Sequence, residues 1–202
     1  TAASFDGPRA YIVTSYCTDP LWIIDTSDPA HPQVKGSVHM SGALDFILPR
    51  GNQLLALGHD SSGCMAWEGS GQPAVSLFDV TDASHPVMTS RVDFGSDYSF
   101  INAEADDMKK AFQVLDSMGL ILVPFQSWDS TTWTQQGGTQ LIDLGANSLT
   151  LRGFANHAGA IERAFPVQDK LVALSDRSLQ ILDAADRDHP TTLANLDLAR
   201  PV

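Results

Sequence analysis

The sequence predicts an all-β fold: four consecutive four-stranded blades of a β-propeller. Three observations carry that prediction. A short apolar run closing on Asp recurs four times, ending at Asp25, Asp79, Asp143 and Asp183. Three of the copies continue into the same turn, with a second Asp three residues on (Asp28, Asp82, Asp186) and then His-Pro (His31-Pro32, His85-Pro86, His189-Pro190). The closing Asp residues stand 54, 64 and 40 residues apart, so the shortest interval matches a blade of about 40–45 residues and the longer ones carry insertions.

Each repeat resolves into four strands, because runs of β-branched and aliphatic residues alternate with Gly, Pro, Asn and Asp turns. The first unit, approximately 1–41, has Ala2 to Phe5, the turn Asp6-Gly7-Pro8, Ala10 to Ser15, Leu21 to Asp25 and Val34 to Met40. The second, 42–96, has Ala43 to Leu48, the turn at Pro49 to Asn52, Gln53 to Gly58, Val75 to Asp79 and Met88 to Phe94. The third, 97–156, has Ala111 to Leu115, Gly119 to Pro124, Thr139 to Asp143 and Leu149 to Phe154. The fourth, 157–202, has Ala160 to Pro166, Lys170 to Ser175, Ser178 to Asp183 and Thr192 to Asp197. In the third strand of each unit the positions four and two before the closing Asp are Leu21 and Ile23, Val75 and Leu77, Thr139 and Leu141, and Leu179 and Ile181. Between them stand Trp22, Ser76, Gln140 and Gln180, an alternation that turns one face inward and the other outward or against the next blade. Helix has one candidate stretch, Asn102 to Lys110, and the sheet pattern is expected to fail first within Tyr98 to Leu115.

Composition narrows the function classes. The 202 residues are 43% hydrophobic, enough for a substantial core in a single domain. Asp and Glu number 24 against 12 Lys and Arg, a formal charge of −12, which argues against nucleic acid as a partner because phosphate binding draws on clustered cations. No apolar run approaches the length of a membrane span, and no signal segment opens the chain. The opening Thr1-Ala-Ala-Ser-Phe5 reads as the middle of something already folded, so a mature or partial chain is expected.

The repeated Asp and His residues allow two readings. Asp and His are metal ligands, but these recur once per blade and would stand apart around a ring. Asp25, Asp28, Asp79, Asp82, Asp183 and Asp186 read instead as turn residues, whose carboxylates bond nearby backbone N–H groups while Pro sets the exit angle. The fourth copy, Asp143-Leu-Gly-Ala-Asn-Ser148, lacks the second Asp and the His-Pro pair and is expected to turn differently.

The stretch Phe5-Asp-Gly-Pro-Arg-Ala-Tyr-Ile-Val-Thr14, followed by Asp19-Pro-Leu-Trp-Ile-Ile-Asp25 and Ser27-Asp-Pro-Ala-His-Pro32, resembles a bacterial family of secreted proteins with a C-terminal β-propeller domain. Leu54 to Asp60, Val75 to Pro86, Lys110-Ala-Phe112 and Leu174 to Asp183 continue the resemblance in order. It implies an extracellular or cell-surface protein and a domain longer than this chain, which would represent its last four blades in a larger propeller. Where the family often has Asn-His before Lys-Ala-Phe, this chain has Asp106-Asp107-Met108-Lys109, so no role of that His carries over. Cys17 and Cys64 fall in corresponding loops of neighbouring units; with an even count and the secreted resemblance, a Cys17–Cys64 disulfide is expected, against the alternative of two inert thiols.

No catalytic frame is present: neither GxSxG, GxGxxG, HExxH nor an EF-hand loop occurs. The loops between second and third strands hold three of the four Trp residues, Trp67 with Glu68 in one and Trp128 and Trp133 in another. Such rings anchor protein partners or stack on sugars, or they pack their own loops onto the blades beneath. Glu104, Asp106 and Asp107 form an acidic cluster, a candidate for calcium or a solvated turn; no other cofactor is indicated. His157 reads as a hydrogen-bonded structural residue. The expectation is a non-catalytic extracellular interaction module that binds a protein or glycan through its loop face, with other chains as candidates for completing the ring or covering its edges. The alternative is a hydrolase or lyase using Glu104 or Asp107 with His157 near the propeller axis.

Overall fold

The computed structural model describes residues 2–14, 20–60, 71–96, 98–101, 105–128, 132 and 134–198. They form four antiparallel sheets, each with four strands hydrogen-bonded in chain order, and in the third a further strand pairs off this path. The first is β1 (Ala2–Asp6), β2 (Arg9–Val13), β3 (Leu21–Asp25) and β4 (Gln33–Val38); the second is β5 (Ala43–Arg50), β6 (Gln53–Asp60), β7 (Gln72–Asp79) and β8 (Val87–Asp93). The third holds β9 (Ser99–Phe100), β10 (Gln113–Leu115), β11 (Leu120–Trp128), β12 (Gln135–Leu144) and β13 (Leu149–His157). The fourth is β14 (Ile161–Val167), β15 (Lys170–Ser175), β16 (Ser178–Asp183) and β17 (Thr191–Asp197). Up-and-down order with short connections is the architecture of a propeller blade.

The chain divides into two compact units: Thr1–Asp93 with Ala146–Leu149, and Phe94–Gly145 with Thr150–Val202. In the first unit Tyr11, Val13, Leu21 and Ile23 of one blade pack with Leu44, Ile47, Leu54 and Phe78 of the next. In the second, Leu120, Leu122 and Leu141 pack with Ile161, Ala164, Leu171 and Leu182. These are the same-face positions of each strand, brought together by the two-residue side-chain period, with β-bulges at 44–46 and 161–163 returning Ile47 and Ala164 to the face of Leu44 and Ile161.

Two expectations need correction. The first strand of the third blade is not the single run Ala111 to Leu115: it is split into β9 and β10, both paired to β11, with helix α1 (Ala105–Ala111), in the expected helical stretch, between them. Met108, Ala111 and Phe112 are buried at i, i+3 and i+4, and the Phe112 amide donates to the Met108 carbonyl at 2.8 Å, so helical periodicity wins over strand there. Of the stretch Gln126 to Gly138, expected as the loop that carries Trp128 and Trp133, both ends are sheet. Strand β11 runs to Trp128 and β12 starts at Gln135, with Phe125 opposite Gly138 and Trp128 opposite Gln135. Its polar sequence conceals a strand because a β-carbon at Gly138 would lie 2.1 Å from the Ala155 carbonyl oxygen and 2.5 Å from the Phe154 ring, so glycine is required where the neighbouring strand closes in.

Candidate functional site

The antiparallel order gives each blade two unlike ends: one carries the turn between its third and fourth strands, the other the connection between its second and third. The turn end follows one pattern in three blades. Asp25, Asp79 and Asp183 each accept through Oδ1 from the backbone N–H two residues on, at 2.9, 2.8 and 3.0 Å. Asp28, Asp82 and Asp186 do the same toward Ala30, Ser84 and Asp188, at 3.0, 2.9 and 3.0 Å. Their second oxygens meet Nδ1 of His31, His85 and His189 at 2.9, 2.9 and 3.0 Å. The turns are exposed, and the six carboxyls are held below the usual Asp range. The Ser27 hydroxyl and N–H, helped by Lys35, bring Asp25 down to about 2. For Asp79 the cause is the Thr81 hydroxyl and then its N–H; for Asp183 it is the Ala185 N–H and then Lys170. The His imidazole leads for Asp28, Asp82 and Asp186, followed by the backbone N–H. These six carboxylates and the three imidazole Nδ1 atoms thus have local partners, and among the described residues no group of three or more His, Cys, Asp or Glu is placed to hold a metal.

The turns also seat blade on blade within each unit. A β-carbon at Gly36 of β4 would stand 2.4 Å from the Ala83 carbonyl oxygen and 3.0 Å from Pro86 Cδ. One at Gly153 of β13 would stand 2.3 Å from the Asp188 carbonyl oxygen and 2.7 Å from Pro190 Cδ. The third blade, whose turn lacks Asp-x-x-His-Pro, is braced differently: Arg187 donates to the Asp143 carboxylate, to the Met118 carbonyl at 2.6 Å and to the Gly119 carbonyl at 3.3 Å, while Arg152 Nε lies 3.5 Å from Asp143.

The opposite end of the second unit holds a cleft of about 580 Å³ lined by Gln135, Gln136, Gly137, the Asn156–Ala160 connection, Asp176, Arg177 and Gln180. Its far wall is the two-residue turn Asp176-Arg177. The Ser175 hydroxyl donates to the Ala158 carbonyl at 2.7 Å and accepts from the amides of Arg177 and Ser178 at 3.1 and 3.0 Å. Asp176 accepts from the Ala160 amide at 2.7 Å and returns its own N–H to the Ala160 carbonyl at 3.1 Å. Beneath, the buried His157 ring meets the Ala158 carbonyl through Nδ1 at 2.9 Å and the Ala173 carbonyl through Nε2 at 3.1 Å, which leaves neither nitrogen for a ligand. The near wall is amide: Gln135 Nε2 donates to Gln126 Oε1 at 2.5 Å. Gln126 is 2% exposed and its Nε2 has no hydrogen-bond partner; nor has the buried Oε1 of Gln180.

Of the residues singled out from sequence, Trp128 stands at the end of β11, 42% exposed and directly across from Gln135. Trp67, Glu68, Trp133, Cys17, Cys64 and Glu104 lie outside the described residues, as do the side chains of Asp106 and Asp107 on α1. The triad Glu104, Asp107 and His157 is therefore located only at His157, which serves the backbone. Sequence reasoning did not find the cleft amides. The signal available was a clustering of Gln, Asn and Gly at strand ends: Gln135-Gln136-Gly137, Asn156 and Gln180.

Comparison with known proteins is consistent with this architecture. The profile of the family described as Beta propeller domain matches residues 1–187. An uncharacterized protein of Methanocaldococcus jannaschii is 36% identical over 86 residues, which is 42% of this chain and 12% of that protein. An uncharacterized protein of Archaeoglobus fulgidus is 30% identical over 91 residues, 45% of this chain and 13% of that one. The matched stretches thus span about an eighth of the length of these archaeal relatives.

Proposed function

The chain belongs to the β-propeller domain family, and from that premise we propose that it is a non-catalytic interaction module of a larger propeller that engages a protein partner or glycan through its loop-bearing end. The observation that carries this reading is the contrast between the two ends of the blades. The turn end satisfies its Asp carboxylates locally, three times over, whereas the loop end presents a braced cleft with unpaired amide atoms and an exposed Trp. Unmet polar groups beside an aromatic ring suit recognition. The resemblance to secreted propeller proteins supports placement outside the cell or on its surface, and a Cys17–Cys64 disulfide belongs to the same reading.

The experiment is affinity capture from an envelope extract of the source organism, using the wild-type chain and a variant carrying Trp67→Ala, Trp128→Ala and Trp133→Ala. Capture that depends on these rings, and that protease or periodate treatment of the extract abolishes, is the expected result. Capture identical in the variant contradicts the loop-end reading. Turnover of ester, glycoside or polyuronate substrates would point instead to the hydrolase or lyase.

A further inference from the structure

We propose that the cleft of the second unit is a binding site for a neutral saccharide. The inference rests on the loop-end reading above and names the ligand class that this site fits. Among the described residues the lining is dominated by amide, carboxylate, guanidinium and backbone groups, and its apolar side chains are the methyls of Ala158 and Ala160. Protein partners are gripped by large apolar anchors in fully desolvated pockets, for which the described lining offers no counterpart. Its volume of about 580 Å³ falls in the range of small-molecule sites. Asp176 and Arg177 offset each other, so the cleft favours neither an anionic nor a cationic ligand.

The two unpaired atoms sharpen the choice. Gln180, a lining residue, holds an unmatched acceptor in Oε1; Gln126, behind the lining Gln135 that bonds it, holds an unmatched donor in Nε2. A hydroxyl group both accepts and donates, so a polyol answers both with one kind of group. The terminal torsions of Gln side chains are broad, and a modest rotation turns either amide edge toward the cleft. Trp128 supplies the remaining element of sugar recognition. Residues 126 and 128 share one face of β11, Trp128 pairs across to Gln135, and the Gln135 side chain reaches Gln126 on that same face. The exposed indole therefore stands at the rim of the amide wall, where its ring can stack on the apolar face of a pyranose. The walls are already braced by Ser175, Asp176 and His157, which lowers the ordering cost of binding.

The test titrates the 202-residue chain with maltotetraose, cellotetraose, chitotetraose and mannotetraose, read by calorimetry and by intrinsic Trp fluorescence. At least one should bind saturably below about 10 mM. Trp128→Ala and Gln180→Ala should each weaken it by roughly tenfold, with Trp128→Phe retaining most of the affinity because it keeps a ring. Melting curves establish that each variant is folded, and the exposed Trp128 variants report on the site if Gln180→Ala does not fold. Absence of binding by all four sugars, or binding unchanged in the Trp128 and Gln180 variants, overturns the inference. Tighter binding of a charged sugar such as sialyllactose also overturns it. Failure here combined with Trp-dependent, protease-sensitive capture from the extract would leave the interaction module standing and remove only its saccharide. Sugar binding in the cleft together with capture indifferent to the Trp residues would do the reverse.

Discussion

At the scale of single residues, the repeated Asp side chains do structural work that has a pH signature. Their carboxyls sit below the unfolded value because backbone N–H groups, hydroxyls, His and Lys side chains favour the ionised form. A depressed Asp pKa contributes stability that is fully present above the unfolded pKa of about 3.9 and is lost as pH falls through the folded value. With Asp25 at about 2, that window runs from roughly pH 4 down to pH 2. Thermal melts should therefore hold their midpoint between neutrality and about pH 5 and fall steeply below 4, with a shallower acid slope in Asp25→Asn. A midpoint insensitive to pH between about 4 and 2 would contradict the turn assignment. These six carboxylates are matched at home, whereas Gln126 and Gln180, like Thr139 and Ser178 of the same unit, hold a buried polar atom without a partner.

At the scale of elements, the turns act as keys and the outer strands as locks. Gly36 and Gly153 are the positions where a downstream turn presses on a strand within the same unit, each approached by a backbone carbonyl and a Pro ring. Gly36→Ala and Gly153→Ala should each lower stability by about 1–3 kcal/mol, since backbone must move to admit the methyl. Gly7, with φ +55° and nothing within 4 Å of its added β-carbon, isolates the conformational term, and Gly7→Ala should cost only about 1 kcal/mol. Denaturant melts of the three variants check the ranking, and equal losses at all three positions would remove the lock-and-key account. Arg187→Ala should also destabilise, by about 1.5–3 kcal/mol, because it removes the brace of the Met118 and Gly119 carbonyls and Asp143. Three strands were legible from sequence to the residue, β3 and β16, whose apolar runs close on Asp, and β15; β7 and β12 begin earlier than expected, at Gln72 and Gln135, where the sequence turns polar. Polar and glycine-rich elements were not legible. Gln126 to Gly138 hides two strand ends because backbone pairing needs no apolar side chain, and β9 was missed, whereas α1 (Ala105–Ala111) falls where the one helix candidate, Asn102 to Lys110, was expected.

At the scale of the whole molecule, a repeat that specifies four similar blades leaves their ends free to diverge. Each unit has its own core between paired blades, so Phe78→Ala in one and Leu122→Ala in the other should cost about 3–5 and 2–5 kcal/mol. Equilibrium unfolding of each variant measures those losses, and a loss below about 1 kcal/mol at either position would contradict the assigned cores. The blade count was legible because turn chemistry repeats in sequence. The cleft was not, because its walls come from positions 135, 156 and 180 and converge only after two blades pair within the second unit. His157 and Trp128 were visible in advance as residues, the one as a hydrogen-bonded structural group and the other as a ring on the loop end, but not as parts of one site. The central claim is that the turn end is structural and the loop end binds. Backbone amide NMR of the labelled chain during the tetrasaccharide titration tests it most directly. The account predicts shifts confined to Gln126–Trp128, Gln135–Gly137, Asn156–Ala160 and Asp176–Gln180, with the turns at 28–31, 82–85 and 186–189 silent. No shifts with any of the four sugars would remove the saccharide and leave the loop end to the capture experiment; shifts centred on those turns would contradict the account.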